Sequence, residues 1–184
     1  MCWNCDHPGT TTDDYLAQVV TPIIARSGWF IQAVYGDKRH APFAYTVGLT
    51  EHGLPELLVT GMAHYRSGHL LNRMAEHWLR TGSVPVHGQH VDTDEGCLEV
   101  VDLPRPDAHL VMAAALFGPE ALRAQQLVWA DSRRRWPWDR AFRSGRGGQP
   151  VLGPRAAALS GSCVRPGPRR PRDRAVRQDG SSPR

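Results

Sequence analysis

Hydrophobic and polar positions alternate most sharply between residues 43 and 49, where Phe43, Tyr45, Val47 and Leu49 are separated by Ala44, Thr46 and Gly48. A period of two puts every large side chain on one face of a strand and leaves the other face nearly bare. Residues 50–55 then supply a Gly/Pro turn, and residues 56–62 form a Leu/Val run too short and too uninterrupted for an amphipathic helix. A buried strand fits that run, and the two together read as a hairpin around which the chain is organised. The small side chains opposite the core face mark a place for a covering helix or a pocket.

The remaining pattern predicts the other elements. Tyr15, Leu16, Val19, Val20, Ile23 and Ile24 form one apolar stripe behind a Thr11 or Thr12 cap, with Asp13 and Asp14 in the first turn. Pro22 interrupts the stripe, so a kink or break is expected near Thr21 before Gly28 ends the helix. Residues 29–35 read as a strand. A second helix follows over residues 63–80, with Leu70, Leu71, Met74, Ala75 and Trp78 on one face and Arg66, His69, Arg73, Glu76 and Arg80 on a solvated one. Residues 81–96 are loop with room for a short strand, and residues 97–103 form a strand stopped by Pro104 and Pro106. Asp107 is placed to cap a third helix, apolar nearly all round and so expected to be deeply buried, which Gly118 closes. Residues 125–130 make a final strand. Strands and helices do not strictly alternate and the hairpin is antiparallel. The expected fold is therefore α+β: a single domain with a mainly antiparallel sheet of about five strands covered by about three helices.

Charge changes this picture only at one end. The 184 residues carry a formal +4, but from residue 153 onward eight arginines stand against two aspartates. The basicity belongs to this tail, whose lack of aromatics and apolar period predicts disorder. The chain thus divides into an N-terminal Cys-x-x-Cys segment (1–10), a globular α+β domain (11–152) and an Arg/Pro/Gly-rich tail (153–184). Nucleic acid is not an expected partner of the globular body. No stretch approaches a membrane span, and the first ten residues lack a secretory pattern, so a cytoplasmic protein without a membrane partner is expected.

Two segments are distinctive in combination: FAYTVGLTEHGLPELLVTG, and LVWADSRRRWPWDRAFRSGRGGQPVLGPR. With the opening MCWNCDHP they resemble a family of bacterial proteins known as domain of unknown function 4262, over about residues 1–155. The resemblance implies a soluble intracellular module and supplies no activity, cofactor or catalytic residue. The tail beyond Arg155 departs from it.

Three constellations could carry chemistry. Cys2, Cys5 and His7 offer two thiolates and an imidazole to one zinc ion, with Cys97, His40, His87 and His90 as distant completions. In a reducing compartment such a pair favours metal over a structural disulfide. Trp129, Asp131, the arginines 133–135, Trp136, Trp138 and Asp139 could line a pocket where rings stack on a planar ligand and charges orient it. The competing use of the same indoles is to pin a long loop to the core. The hairpin adds Tyr45, Thr46 and Glu56 as pocket candidates, with His52 in its turn. The chain reads as a binding or interaction module for a protein or small-molecule ligand. The alternative is a small-substrate enzyme drawing acid/base groups from Asp131, Asp139, Glu56 and His52. No phosphate-cradling glycine loop, nucleophile elbow or His-Glu-x-x-His is present in the globular body.

Overall fold

The computed structural model describes residues 7–94, 96–145 and 148–155. The fold is α+β, built on a six-stranded sheet. The strands are β1 (Phe30–Val34), β2 (Phe43–Val47), β3 (Glu56–Thr60), β4 (His90–Thr93), β5 (Gly96–Asp102) and β6 (Ala124–Trp129). Their spatial order is β1-β2-β3-β6-β5-β4. Every pairing is antiparallel except that of β3 with β6, which run parallel with Glu56 opposite Ala124 and Leu58 opposite Gln126. The alternating stretch is strand β2 of the hairpin, pairing Ala44 with Val59 and Tyr45 with Leu58. The sixth strand is β4, a short edge strand inside the segment expected to be mostly loop.

Helix α1 begins with a capping box in which Thr11 and Asp14 exchange hydrogen bonds. It runs continuously through Thr12–Tyr15, Leu16–Val20 and Thr21–Ser27, and its middle turn is π-helical. Pro22 therefore does not break the helix. The widened turn, closed by the Thr21 N–H on the Leu16 carbonyl, sets Pro22 at the start of the next α-helical turn, where its missing N–H costs little. Gly28, left-handed at φ 85°, ends α1.

Both faces of the sheet are covered. On one, Leu70, Leu71, Met74, Ala75 and Trp78 of α2 (His64–Thr81) pack on Ala44, Leu57, Val59, Leu98, Val100 and Leu127. On the other, Leu16, Val20 and Ile24 of α1 meet Tyr45, Val47, Leu58, Leu110 and Ala113. Each fully buried Leu or Val here contributes about 1.5–3 kcal/mol through lost water contact. The bare side of β2 is thus taken by helix packing at Ala44. At Gly48, a Cβ would come within 2.8 Å of the Gly28 carbonyl oxygen, so only glycine admits the end of α1. The third helix departs from expectation. Asp107 lies in a short 3-10 turn (Pro106–Ala108), Leu110 breaks the run with φ −99° and ψ 60°, and α3 spans only Val111–Phe117. It is not deeply buried: Ala113 is its one buried residue, and Val111 is 58% exposed.

A final strap, residues 148–155, crosses the face that α1 covers. Its Pro150 carbonyl accepts from Thr60 Oγ1 (2.7 Å) and Gln126 Nε2 (2.7 Å), and the Leu152 N–H donates to Gln126 Oε1 (2.8 Å). Gln149 reaches sideways and pairs with the Trp129 backbone as a strand would, at 2.9 and 2.8 Å. The 156–184 stretch of the tail and the first six residues lie outside the described residues. No helix among the described residues is long and apolar enough to cross a membrane.

Candidate functional site

β3 and β6 are the one parallel pair among the described residues, so their C-terminal ends lie side by side. From there the chain leaves in two directions: β3 feeds α2 on one face, while β6 feeds the loop that becomes the strap on the other. Such a divergence opens a crevice at the strand ends, which is where ligands settle in open sheets with parallel strands. A cleft of about 1090 Å³ occupies this place. Residues 61–63 and Arg66 line it from the entry to α2. Residues 92–94, Gly96 and Cys97 line it from the β4–β5 hairpin, and residues 129–135 with Arg143 from the loop after β6. Five arginines against three aspartates leave the lining with a positive excess of two.

Asp131 organises the loop. Its Oδ1 accepts the N–H groups of Arg133 (2.8 Å) and Arg135 (3.0 Å). Its Oδ2 accepts Arg135 Nε (2.9 Å), Arg135 Nη2 (2.7 Å) and the Arg143 N–H (2.9 Å). The side chain is only 6% exposed, and the Arg135 guanidinium, helped by these backbone donors, holds its carboxyl far below the usual range. Asp131 and Arg135 thus neutralise each other. Arg133 and Arg134 are exposed and have no acidic partner among the described residues. Arg134 (φ 60°) and Arg143 (φ 47°) are the two non-glycine residues with left-handed backbone among those described, and both line the cleft. That conformation costs an ordinary side chain about 1–2 kcal/mol, and strain of this kind persists where surrounding bonds over-determine it. Here the turn closed by the Arg134 N–H on the Asp131 carbonyl (2.7 Å) supplies them.

The structure scatters the residues singled out in sequence. Trp129 and Asp131 line the cleft. Trp129 is fixed by its indole N–H on the Thr60 carbonyl (3.0 Å) and by Phe142, whose ring lies 5.3 Å away. Trp136 and Trp138 are not in the lining. They stack on each other at 5.3 Å, with His90 on the far side of Trp136 and the Arg155 guanidinium 3.8 Å from the Trp138 centroid. Both ends of this column reach one buried carboxylate: Glu99 lies 3.2 Å from His90 Nε2 and 3.9 Å from Arg155 Nε. Asp139 closes the turn beneath, accepting the Trp136 N–H at 2.7 Å.

Tyr45, Thr46 and Glu56 are buried within the hairpin. Glu56 accepts Thr46 Oγ1 (2.6 Å), the N–H groups of Gly48 (2.9 Å) and Thr50 (3.0 Å), and Thr50 Oγ1 (2.8 Å). Burial pushes its carboxyl above the ordinary range, against the lowering effect of those four donors. Tyr45, its phenol pushed up to about 12 by burial, accepts the Met112 N–H at 3.2 Å. His52 Nε2 lies 3.3 Å from the Gly28 carbonyl oxygen.

Of the metal candidates, Cys2 and Cys5 lie outside the described residues, and His7 is in an exposed turn. Cys97 is disulfide-bonded, contrary to the expectation of reduced thiols, and so has no thiolate to give a metal. His87 accepts the Asp102 N–H, and His40 sits on Asp37. Among the described residues no group of three or more His, Cys, Asp or Glu is placed to hold a metal ion.

Residues 23–143, more than half of the chain, match the family profile described as domain of unknown function (DUF4262). The chain belongs to this family. No curated protein and no solved structure matches it. The DUF4262 match takes in the hairpin, α2 and all three lining segments of the cleft, and it stops before the strap.

Arg66, residues 61–63, residues 92–94 and Arg143 carried no functional signal in sequence. Arg66 reads as one more cation on a solvated helix face, and only the β3–β6 pairing, across more than sixty residues, brings it to the loop after β6.

Proposed function

We propose that this DUF4262 chain is a small-ligand binding module whose site is the cleft at the C-terminal ends of β3 and β6. The observation that carries this reading is a concave site lined by a loop already fixed around Asp131, with unneutralised guanidiniums and two strained arginine backbones at its rim. A site ordered before binding spends little of its ligand's free energy on ordering. Acid/base catalysis is less well supported. Asp131 is held ionised, Glu56 is enclosed by four donors, and Asp139 is engaged in a turn. Glu56 and His52 belong to the hairpin while Asp131 and Asp139 belong to the loop after β6, and among the described residues no contact joins the two pairs.

The test is a thermal-shift screen of the full chain against neutral, cationic and anionic fragments, with hits repeated on two variants. Ala63→Trp, at an exposed position of the lining, should abolish the shift. Trp138→Ala should lower the melting temperature of the free protein by dismantling the stacked column, yet leave the fragment's affinity unchanged. Hits insensitive to Ala63→Trp, or lost in Trp138→Ala, would move the site away from the cleft.

A further inference from the structure

We infer that the group this cleft recognises is a phosphoryl group, a phosphate or diphosphate carried by a small molecule. The inference rests on the cleft being the ligand site, and adds to it the chemistry of what binds. Asp131 consumes one guanidinium, that of Arg135, through two hydrogen bonds to a single oxygen. The same carboxylate fixes the backbone on both sides of Arg133 and Arg134. Their side chains are left at the cleft with no acid to neutralise them among the described residues. Of the other two acids in the lining, Asp94 pairs with Arg73 at 2.8 Å, and Asp92 pairs with neither of these two guanidiniums.

Two such guanidiniums ask for at least two negative charges on the ligand. Arginine presents rigid forks of N–H donors that match phosphate oxygens, and it stays charged at any working pH. The lining cations come from separate segments, α2 and the loop after β6, so donors meet the ligand from more than one direction. That suits a tetrahedral anion with three free oxygens better than a flat carboxylate. The Ser132 hydroxyl, on the same loop, can donate beside them. The cleft holds more than the anion alone, and Trp129 with Met62 offers apolar wall to the rest of the molecule.

Isothermal titration of the full chain with inorganic pyrophosphate, at constant ionic strength set by chloride, tests this. Saturable binding is expected. Arg133→Gln and Arg134→Gln should each weaken it about tenfold or more while leaving the melting temperature of the free protein unchanged, since both side chains are exposed. Malonate, a dianion of two planar carboxylates, should bind about tenfold more weakly than pyrophosphate. No heat beyond the chloride control, equal affinity in both glutamine variants, or malonate binding as tightly as pyrophosphate would overturn the inference. So would a single-stranded oligonucleotide that displaces pyrophosphate at lower concentration, which would make the cleft part of a nucleic-acid surface. If pyrophosphate fails while neutral fragments still bind and are lost in Ala63→Trp, the phosphoryl assignment falls and the cleft stands. If neither binds, both fall.

Discussion

At the scale of single residues, two buried or half-buried carboxylates do opposite things. Asp131 is held ionised by a guanidinium, so its contribution to stability is present above the ordinary carboxylate range and is lost as pH falls through its depressed pKa. Among the described residues no cation pairs with Glu56, and burial raises its pKa. The folded state then binds the proton more tightly than the unfolded chain, so stability falls as pH rises from the ordinary carboxylate range through the folded value. Glu56→Ala should cost about 3–5 kcal/mol, because it leaves two backbone N–H groups and two hydroxyls unpaired in the core. Glu56→Gln keeps an acceptor for Gly48 and Thr50 and should cost about 1 kcal/mol. Denaturant unfolding across mildly acidic to neutral pH checks both, and the advantage of wild type over the glutamine variant should shrink as pH rises. From sequence, Glu56 is a polar start to an apolar strand. Its use as the knot of the hairpin depends on Thr46, Gly48 and Thr50 folding back over it, which spacing does not reveal.

At the scale of elements, the hydrophobic period carried most of the fold. The β2 alternation, the α2 stripe and the apolar runs of β3, β5 and β6 each mark an element whose buried face the packing confirms. What the period could not convey is how elements adapt or combine. Pro22 signals a kink or break, and the helix meets it with one π-helical turn and runs on unbroken. The apolar α3 suggests burial, yet it lies at the rim with Val111 in solvent. The strap has no period at all, since it works through Gln149, the Pro150 carbonyl and the close approach of Gly153 to β5. It nevertheless satisfies Gln126, a fully buried amide. A chain ending at residue 147 should therefore be less stable than one ending at Arg155, by about 2–4 kcal/mol for the hydrogen bonds lost to buried groups. Equal melting temperatures for the two would show that the strap contributes nothing to the core.

At the scale of the whole molecule, helices cover both faces of the sheet, the strap shares one of them, and a large cleft opens at the C-terminal ends of β3 and β6. The divergence of the chain from the parallel β3–β6 pair creates that opening, and the loop after β6 fills its rim with arginines. In sequence this loop reads as a candidate pocket at Trp129, Asp131, Trp136, Trp138 and Asp139. Trp129 and Asp131 line the cleft, while the Trp136–Trp138 pair is stacked between His90 and Arg155. Two members of one eleven-residue segment thus face the cleft, and three belong to the stacked column and the turn beneath it. Adjacency in sequence cannot separate those roles.

Backbone amide NMR of the full chain, titrated with pyrophosphate, locates the site most directly. Shifts are expected to concentrate on residues 61–66, 92–94 and 131–135, with those at residues 48–56 and at Trp136 and Trp138 much smaller. Shifts centred on the Glu56 hairpin or on the stacked column, or no shifts at all, would contradict a ligand site at the β3–β6 cleft.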